Sequence, residues 1–168
     1  MSGDSVPRVQ YGALPYREAN GLEVLLVTSR ETRRWVIPKG WPMEGHAAAE
    51  SAAQEAYEEA GVRGQTTAKA VGHYGYSKRM RGGGKKRFRV EVFALEVTEV
   101  LDLWPEVHER TRQWLSPHEA AARVNEPELA AIIRTFAGDQ LGQALPTPTS
   151  SQAIWQTLKA LLRLLGLR

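Results

Sequence analysis

The sequence predicts one folded domain of the α/β or α+β class, in which helices pack on a sheet as a sandwich. Two observations predict this class: segments with strand character dominate the chain, and the few helical segments are interspersed among them. The chain has 168 residues, of which 42% are hydrophobic and 24% are charged. That length and composition suit a single globular domain with a substantial core.

The N-terminal part predicts three strands followed by a helix. Apolar runs bounded by turn residues predict strands over residues 8–17, 22–28 and 34–37. Alanine then recurs every fourth residue, at positions 52, 56 and 60, which predicts a helix over 48–60 with a closely packed face. Gly61 follows directly and is a natural C-terminal stop.

The C-terminal part predicts strands over residues 67–76 and 86–100, and a short strand that ends at Trp114-Leu115. Helix-start patterns follow at Ser116-Pro117 and near Asn125. We therefore expect a domain over residues 1–137. Residues 138–151, GDQLGQALPTPTSS, predict a linker, and residues 152–168 predict an amphipathic helix that packs on the protein or supports a homodimer.

The net charge of +3 conceals a basic segment in the middle of the chain. Residues 77–89, SKRMRGGGKKRFR, hold 7 of the 22 basic residues and no acid, so the remainder carries 15 basic against 19 acidic residues. This segment indicates a local anionic ligand, with a solvated hairpin tip as the alternative. Only Phe88 and Tyr74 or Tyr76 lie near enough to stack a base, so nucleic acid is a weaker expectation.

Several classes of site and location are disfavoured by composition. The sequence has no cysteine, which excludes disulfides, cysteine nucleophiles and thiolate metal sites. The N-terminal residues lack a signal-peptide pattern, and no apolar run reaches the length of a membrane span. We therefore expect a cytoplasmic protein without a transmembrane segment.

Three glutamates near the end of the predicted helix form the main candidate site. Glu55 and Glu59 are one helical turn apart, and Glu58 lies beside them. Their charges repel one another and also oppose the helix dipole. A solvated acidic face is the simplest interpretation, but a bound divalent cation would relieve the same repulsion. Oxygen ligands alone suit Mg²⁺ or Mn²⁺.

The sequence around these glutamates closely resembles the Nudix box. Residues 40–62, GWPMEGHAAAESAAQEAYEEAGV, match Gly-x5-Glu-x7-Arg-Glu-hydrophobic-x-Glu-Glu-x-Gly-hydrophobic over 23 residues, with two departures. His46 stands at the glutamate position and Gln54 at the arginine position. This resemblance implies an α/β/α Nudix fold with a mixed central sheet, and metal-dependent hydrolysis of a phosphoanhydride bond by water. By position, it implies Glu58 as the base, with Glu55, Glu59 and the Gly40 carbonyl as ligands of Mg²⁺ or Mn²⁺.

Other phrases resemble the diphosphoinositol and diadenosine polyphosphate phosphohydrolase branch of that family. They are WVIPKG at 35–40, a Val-Thr-Glu-Val strand end at 97–100, a Trp-Pro-Glu turn at 104–106, and Arg110-x-x-x-Trp114. A polyphosphate substrate needs several cations, and arginine binds phosphate oxygens in pairs. We therefore predict these substrate-binding residues: Arg33, Arg34, Lys39, Lys85, Lys86, Arg87 and Arg89. The alternatives are another Nudix substrate (ADP-ribose, an oxidised nucleoside triphosphate or capped RNA) or a non-catalytic binding module.

Overall fold

The computed structural model describes residues 6–80 and 82–144, and within them a mixed sheet of eight strands is covered by three helices. The strands are β1 (Arg8–Glu18), β2 (Leu22–Thr28), β3 (Trp35–Val36), β4 (Lys39–Gly40), β5 (Val62–Thr66), β6 (Gly72–Arg79), β7 (Lys85–Val100) and β8 (Arg112–Leu115). The helices are α1 (Ala48–Ala60), α2 (Pro117–Arg123) and α3 (Pro127–Ala144).

The sheet is mixed because β1 runs parallel to β7 and antiparallel to its other partners. Its main path is β3-β2-β1-β7-β5, while β4 pairs with β1, β6 with β7 and β8 with β2. The parallel register runs from Arg8 opposite Phe88 to Tyr16 opposite Glu96. Strand β4 pairs with β1, with Gly40 opposite Tyr11, and α1 follows β4 in the chain.

Two cores lie on opposite faces of the sheet, which confirms the α/β/α arrangement. Alternate residues of β7 divide between them: Val90, Val92 and Ala94 pack with α2 and α3, whereas Phe93 and Leu95 pack with α1. The face of α1 that meets the sheet consists of small side chains, Ala52, Ala56 and Ala60, all fully buried. These alanines let the helix lie close to the strands, as their spacing predicted.

Two segments differ from the sequence-based expectation. The strand predicted over 67–76 begins only at Gly72, as β6, and extends to Arg79. The sequence did not predict β5, which precedes it at Val62–Thr66. Both strands form because the 16-residue β7 is long enough to pair with each of them. The segment between them stays attached to β7 through hydrogen bonds from Thr67 N–H to the Ala94 carbonyl and from Val71 N–H to the Val92 carbonyl.

The C-terminal part also departs from the expected pattern. Helix α3 continues through residues 138–144, where the sequence predicted the first half of a linker. The remainder of that linker and the amphipathic helix expected over 152–168 lie outside the described residues. Compact packing divides the chain after Ala137, into residues 1–137 and 138–168. None of the described helices is long and apolar enough to cross a bilayer.

Both ends of α1 are fixed by specific contacts. At its start, the Ala47 N–H donates to Glu50 Oε2 at 2.9 Å. At its end, Gly61 adopts φ of 63°, and its N–H bonds back to the carbonyls of Ala56 and Tyr57. A Cβ on Gly61 would lie 2.6 Å from the Trp104 ring. Gly61 is therefore required both for its left-handed backbone and for this close approach.

Candidate active site

The last two turns of α1 bring three glutamates to the end of β4. Glu59 is 7% exposed, while Glu55 and Glu58 are partly buried. The Glu55 carboxylate packs against the backbone of Gly40 so closely that a Cβ there would lie 1.9 Å from Glu55 Oε1. The structure therefore places Gly40 and Glu55, which the sequence predicted as ligands of one metal ion, in direct contact.

Glu59 is held by two donors from other parts of the chain. Arg110 Nη2 donates to Glu59 Oε1 at 2.5 Å, and the Lys39 N–H donates to Glu59 Oε2 at 3.3 Å. The Arg110 side chain is itself only 7% exposed. Its Nη1 donates to the Thr28 carbonyl at 3.1 Å, and its Nε donates to Glu106.

The sequence did not assign Arg110 or Glu106 to the site. Arg110 lies 51 residues from Glu59 along the chain, so no local spacing connects them. The Arg-x-x-x-Trp phrase contains Arg110 and was the available signal, but it carries no information on which carboxylate the arginine meets. The loop between β7 and β8 is what brings it there.

Glu58 is held by the side chain at one of the two departures from the Nudix box. Gln54 Nε2 donates to Glu58 Oε1 at 2.6 Å, one helical turn away. The backbone carbonyl of Glu58 also accepts from the Glu106 N–H at 3.1 Å. The other departure, His46, is exposed, and its Nδ1 lies 2.9 Å from the Glu44 carbonyl oxygen.

Burial and nearby negative charges raise the pKa values of Glu55 and Glu59. Burial, together with the charges of Glu59, Glu58 and Glu106, raises the pKa of Glu55 to about 7. Burial likewise raises the pKa of Glu59 to about 7, although the charges of Arg110 and Lys39 oppose the increase. Burial also lowers the pKa of Lys39. Both carboxylates are thus unfavourable as anions unless more positive charge arrives.

The donor set fits a hard divalent ion by its chemistry and position. Every candidate ligand is an oxygen, and the glycine cradle leaves room for the Glu55 carboxylate. Across residues 6–80 and 82–144, no three acidic or histidine side chains already converge as a ready metal site. In the structure, Glu58 bonds to Gln54 and Glu59 bonds to Arg110. A metal ion would have to compete with these partners.

A cleft of about 390 Å³ opens beside Glu59. Its lining includes six basic side chains, namely Arg30, Arg34, Lys39, Lys78, Arg79 and Arg110. Glu31, Glu59 and Glu126 are acidic residues of the same lining. All three acids pair with cleft cations: Glu59 pairs with Arg110, Lys78 Nζ is 3.2 Å from Glu31 Oε2, and Arg34 Nη1 is 3.6 Å from Glu126 Oε1. The cleft thus joins the buried end of the glutamate cluster to a cationic wall.

The residues predicted to bind substrate are distributed over several places. Arg34 and Lys39 line the cleft. Arg33 adopts φ of 53° and donates to the Glu109 carbonyl at 2.8 Å and to Thr111 Oγ1 at 3.0 Å, so it holds the loop that carries Arg110. These contacts give Arg33 an evident structural role.

The predicted residues of β7 lie farther along the sheet. Lys85 and Lys86 are opposite Arg79 and Lys78 in the ladder, and these two β6 residues line the cleft. Arg87 and Arg89 are exposed and alternate with the buried Phe88, which turns them to the other face. The sequence placed Lys78 and Arg79 in the basic segment without singling them out, because their strand neighbours could not be identified.

Comparisons with known proteins agree with this fold. Residues 6–136 match the NUDIX domain. Nudix hydrolase 13, mitochondrial, from Arabidopsis thaliana is 34% identical over 134 residues, which cover 67% of this chain and 65% of that protein. Diphosphoinositol polyphosphate phosphohydrolase 3-beta from Bos taurus is 31% identical over 110 residues, which cover 64% of this chain and 63% of that protein. The chain therefore spans just under two thirds of the length of these relatives.

A solved structure gives the same architecture. An Ap4A hydrolase from C. elegans, in a binary complex, superimposes with a TM-score of 0.60 and 23% identity, covering 80% of this chain and 98% of that one. This likeness concerns the fold. The matched domain and this shared fold together confirm the family resemblance found in residues 40–62. The chain belongs to the Nudix family.

Proposed function

We propose that this protein is a divalent-metal-dependent pyrophosphohydrolase that cleaves a phosphoanhydride bond by attack of water. The observation that carries the proposal is the Glu55 carboxylate packed on Gly40, with Glu58 and Glu59 on the same helix end and a cationic cleft beside them. Nudix hydrolases generally use a divalent metal. Here Glu55, Glu59 and the Gly40 carbonyl are the proposed ligands of Mg²⁺, with Mn²⁺ as a second candidate.

Each proposed role follows from the chemistry of the group. A bound divalent ion would polarise the phosphoryl group and lower the pKa of water, as such ions do in hydrolases. Glu58 is the proposed base because it is more exposed than Glu59 and bonds to a neutral amide, whereas Glu59 forms a buried pair with Arg110. A base must reach the attacking water, and both carboxylate oxygens of the buried Glu59 are already engaged by Arg110 and the Lys39 N–H.

The proposed substrates are diphosphoinositol polyphosphates or diadenosine polyphosphates. Their phosphate chains carry many negative charges, and the cleft offers Arg34, Lys39, Lys78 and Arg79 within one lining. Lys85, Lys86, Arg87 and Arg89 are proposed as additional phosphate contacts on β7. The names of the bovine relative and of the C. elegans structure are consistent with these two classes.

A panel of pyrophosphate substrates tests this function. We expect hydrolysis that requires Mg²⁺ and that falls at least about a hundredfold in Glu58→Gln, which keeps the shape of the side chain but removes its basicity. Glu99→Gln is the matched control, because Glu99 is an exposed glutamate paired with Arg63 at the far end of β7. Full activity of Glu58→Gln would contradict the assignment of the base.

Two alternatives are decided by the same panel. Preferential turnover of ADP-ribose, an oxidised nucleoside triphosphate or capped RNA would assign another Nudix substrate. Tight binding without turnover of any substrate would assign a binding module, which the Arg110–Glu59 bond favours because it occupies a proposed metal ligand. We further propose a small-molecule substrate rather than nucleic acid, a cytoplasmic location and a homodimer, which cell fractionation and sedimentation analysis test.

A further inference from the structure

A row of aromatic rings begins beside the proposed metal loop. Trp41 directly follows Gly40 and is 49% exposed, which is unusual for so large an apolar side chain. Its ring centroid lies 5.9 Å from that of Phe88, at an interplanar angle of 56°. Phe88 in turn stacks on Tyr76 with 4.9 Å between centroids and 13° between planes.

This row adjoins the cationic cleft through Tyr76. Tyr76 lines the cleft, and Lys39 Nζ lies 5.4 Å from the Tyr76 ring centroid. Lys39 and Trp41 flank Gly40 and contact neighbouring members of one aromatic stack, Tyr76 and Phe88. A ligand whose phosphates lie near Lys39 would therefore have an exposed indole within a short distance of its phosphate chain.

The packing of Trp41 suits a stacking role. Phe88 is 8% exposed and supports one part of the indole, so the ring is held in place while about half of its surface remains open. An indole stacks better on a planar aromatic group than on an aliphatic polyol, because two flat π faces make the larger and closer contact. A nucleobase has such a face and an inositol ring has none.

We propose that Trp41 is a specificity-determining residue that stacks the base of a nucleoside polyphosphate whose phosphates occupy the cleft. The inference rests on the proposed function for the position of the phosphates. It assigns the preferred substrate class: diadenosine polyphosphates rather than diphosphoinositol polyphosphates. The base contributes binding that an inositol phosphate of similar charge does not obtain at this position.

Three variants separate stacking from support of the fold. Trp41→Phe retains an aromatic face, Trp41→Leu retains apolar contact with Phe88 without a π face, and Trp41→Ala removes both. Leu103→Ala is the control, because Leu103 is an apolar residue in another loop and is 80% exposed. We expect KM for a diadenosine polyphosphate to rise about tenfold in Trp41→Leu and Trp41→Ala, and less in Trp41→Phe. KM for a diphosphoinositol polyphosphate should stay unchanged.

A binding measurement keeps this inference separate from the hydrolase proposal. The affinity for ATP and for inorganic tripolyphosphate is measured by calorimetry with Ca²⁺, in wild type and in Trp41→Leu. We expect a tenfold weaker affinity for ATP alone. Equal losses for both ligands, or no loss for either, would overturn the stacking role. If no substrate is hydrolysed in any assay, the proposed function is wrong. The comparison of ATP with tripolyphosphate affinity would still test the stacking role of Trp41.

Discussion

Gln54 donates a hydrogen bond to Glu58 across one turn of α1, with 2.6 Å between Nε2 and Oε1. A neutral amide thus orients the proposed base at the position where the Nudix box has an arginine. The amide fixes the carboxylate without adding a positive charge.

Removing this hydrogen bond should reduce turnover without unfolding the protein. For Gln54→Leu we expect kcat to fall about tenfold, the equivalent of about 1.4 kcal/mol, because the carboxylate loses its orienting donor. Gln54→Arg restores a donor at this position, so we expect it to retain more of kcat than Gln54→Leu does. The measurement is kcat at saturating substrate and metal. His46→Ala, at the exposed second departure, serves as the control, and an equal effect there would refute this role of Gln54.

Arg110 should stabilise the fold by compensating buried carboxylates. Arg110→Met leaves Glu59 without its closest cation and removes the nearer of the two cations that pair with Glu106, and the expected loss of stability is about 3–5 kcal/mol. Arg30→Met is the comparison, because Arg30 is 59% exposed in its pairs with Glu106 and Glu109 and should change stability by less than about 1 kcal/mol. Urea unfolding without metal measures both. Similar values for the two variants would contradict the role of the buried pair.

Gly40 should tolerate no side chain. In Gly40→Ala the new Cβ would overlap the Glu55 carboxylate, so Glu55 must move away from the proposed ligand position. We expect the Mg²⁺ concentration at half-maximal activity to rise at least about tenfold. Gly82→Ala is the matched control, because a Cβ there meets nothing within 4 Å. An unchanged Mg²⁺ requirement in Gly40→Ala would remove the Gly40–Glu55 pair from the metal site.

The stability of the metal-free protein should depend on pH in a definite direction. Glu55 and Glu59 have pKa values of about 7 in the fold, against a usual 4.5. Between these values the folded state binds more protons than the unfolded state, so stability falls as the pH rises from about 4.5 to about 7. Saturating Mg²⁺ should oppose this loss by neutralising both carboxylates. Melting temperatures with EDTA or Mg²⁺ measure it, and rising stability across this window in EDTA would contradict it.

The cationic wall of the cleft should determine affinity for polyphosphates. Combined Lys78→Ala and Arg79→Ala changes should raise KM for a polyphosphate substrate about tenfold, because two cations leave the lining. The Arg87→Ala and Arg89→Ala pair tests the predicted contacts of β7 on the opposite face. Steady-state kinetics over a range of ionic strength measure both pairs. No change in KM for either pair would refute electrostatic recognition by the basic segment.

The sequence by itself determined the features that depend on local patterns. Alanine spacing predicted α1 and its packed face, Gly61 predicted its end, and the glutamates were placed on it because helical periodicity is set by the backbone. The 23-residue resemblance predicted the family and proposed Gly40 and Glu55 as metal ligands. These inferences needed no knowledge of distant neighbours.

Only the tertiary structure decided which distant residues meet. Strand pairing is nonlocal, so the unpredicted strand β5 and the start of β6 at Gly72 follow from pairing along the length of β7. The meeting of Arg110 with Glu59, and of Trp41 with Phe88, likewise depends on how loops cross the sheet. Sequence periodicity identifies the face on which a residue lies, whereas the partner across that face is selected by the packing of the whole domain.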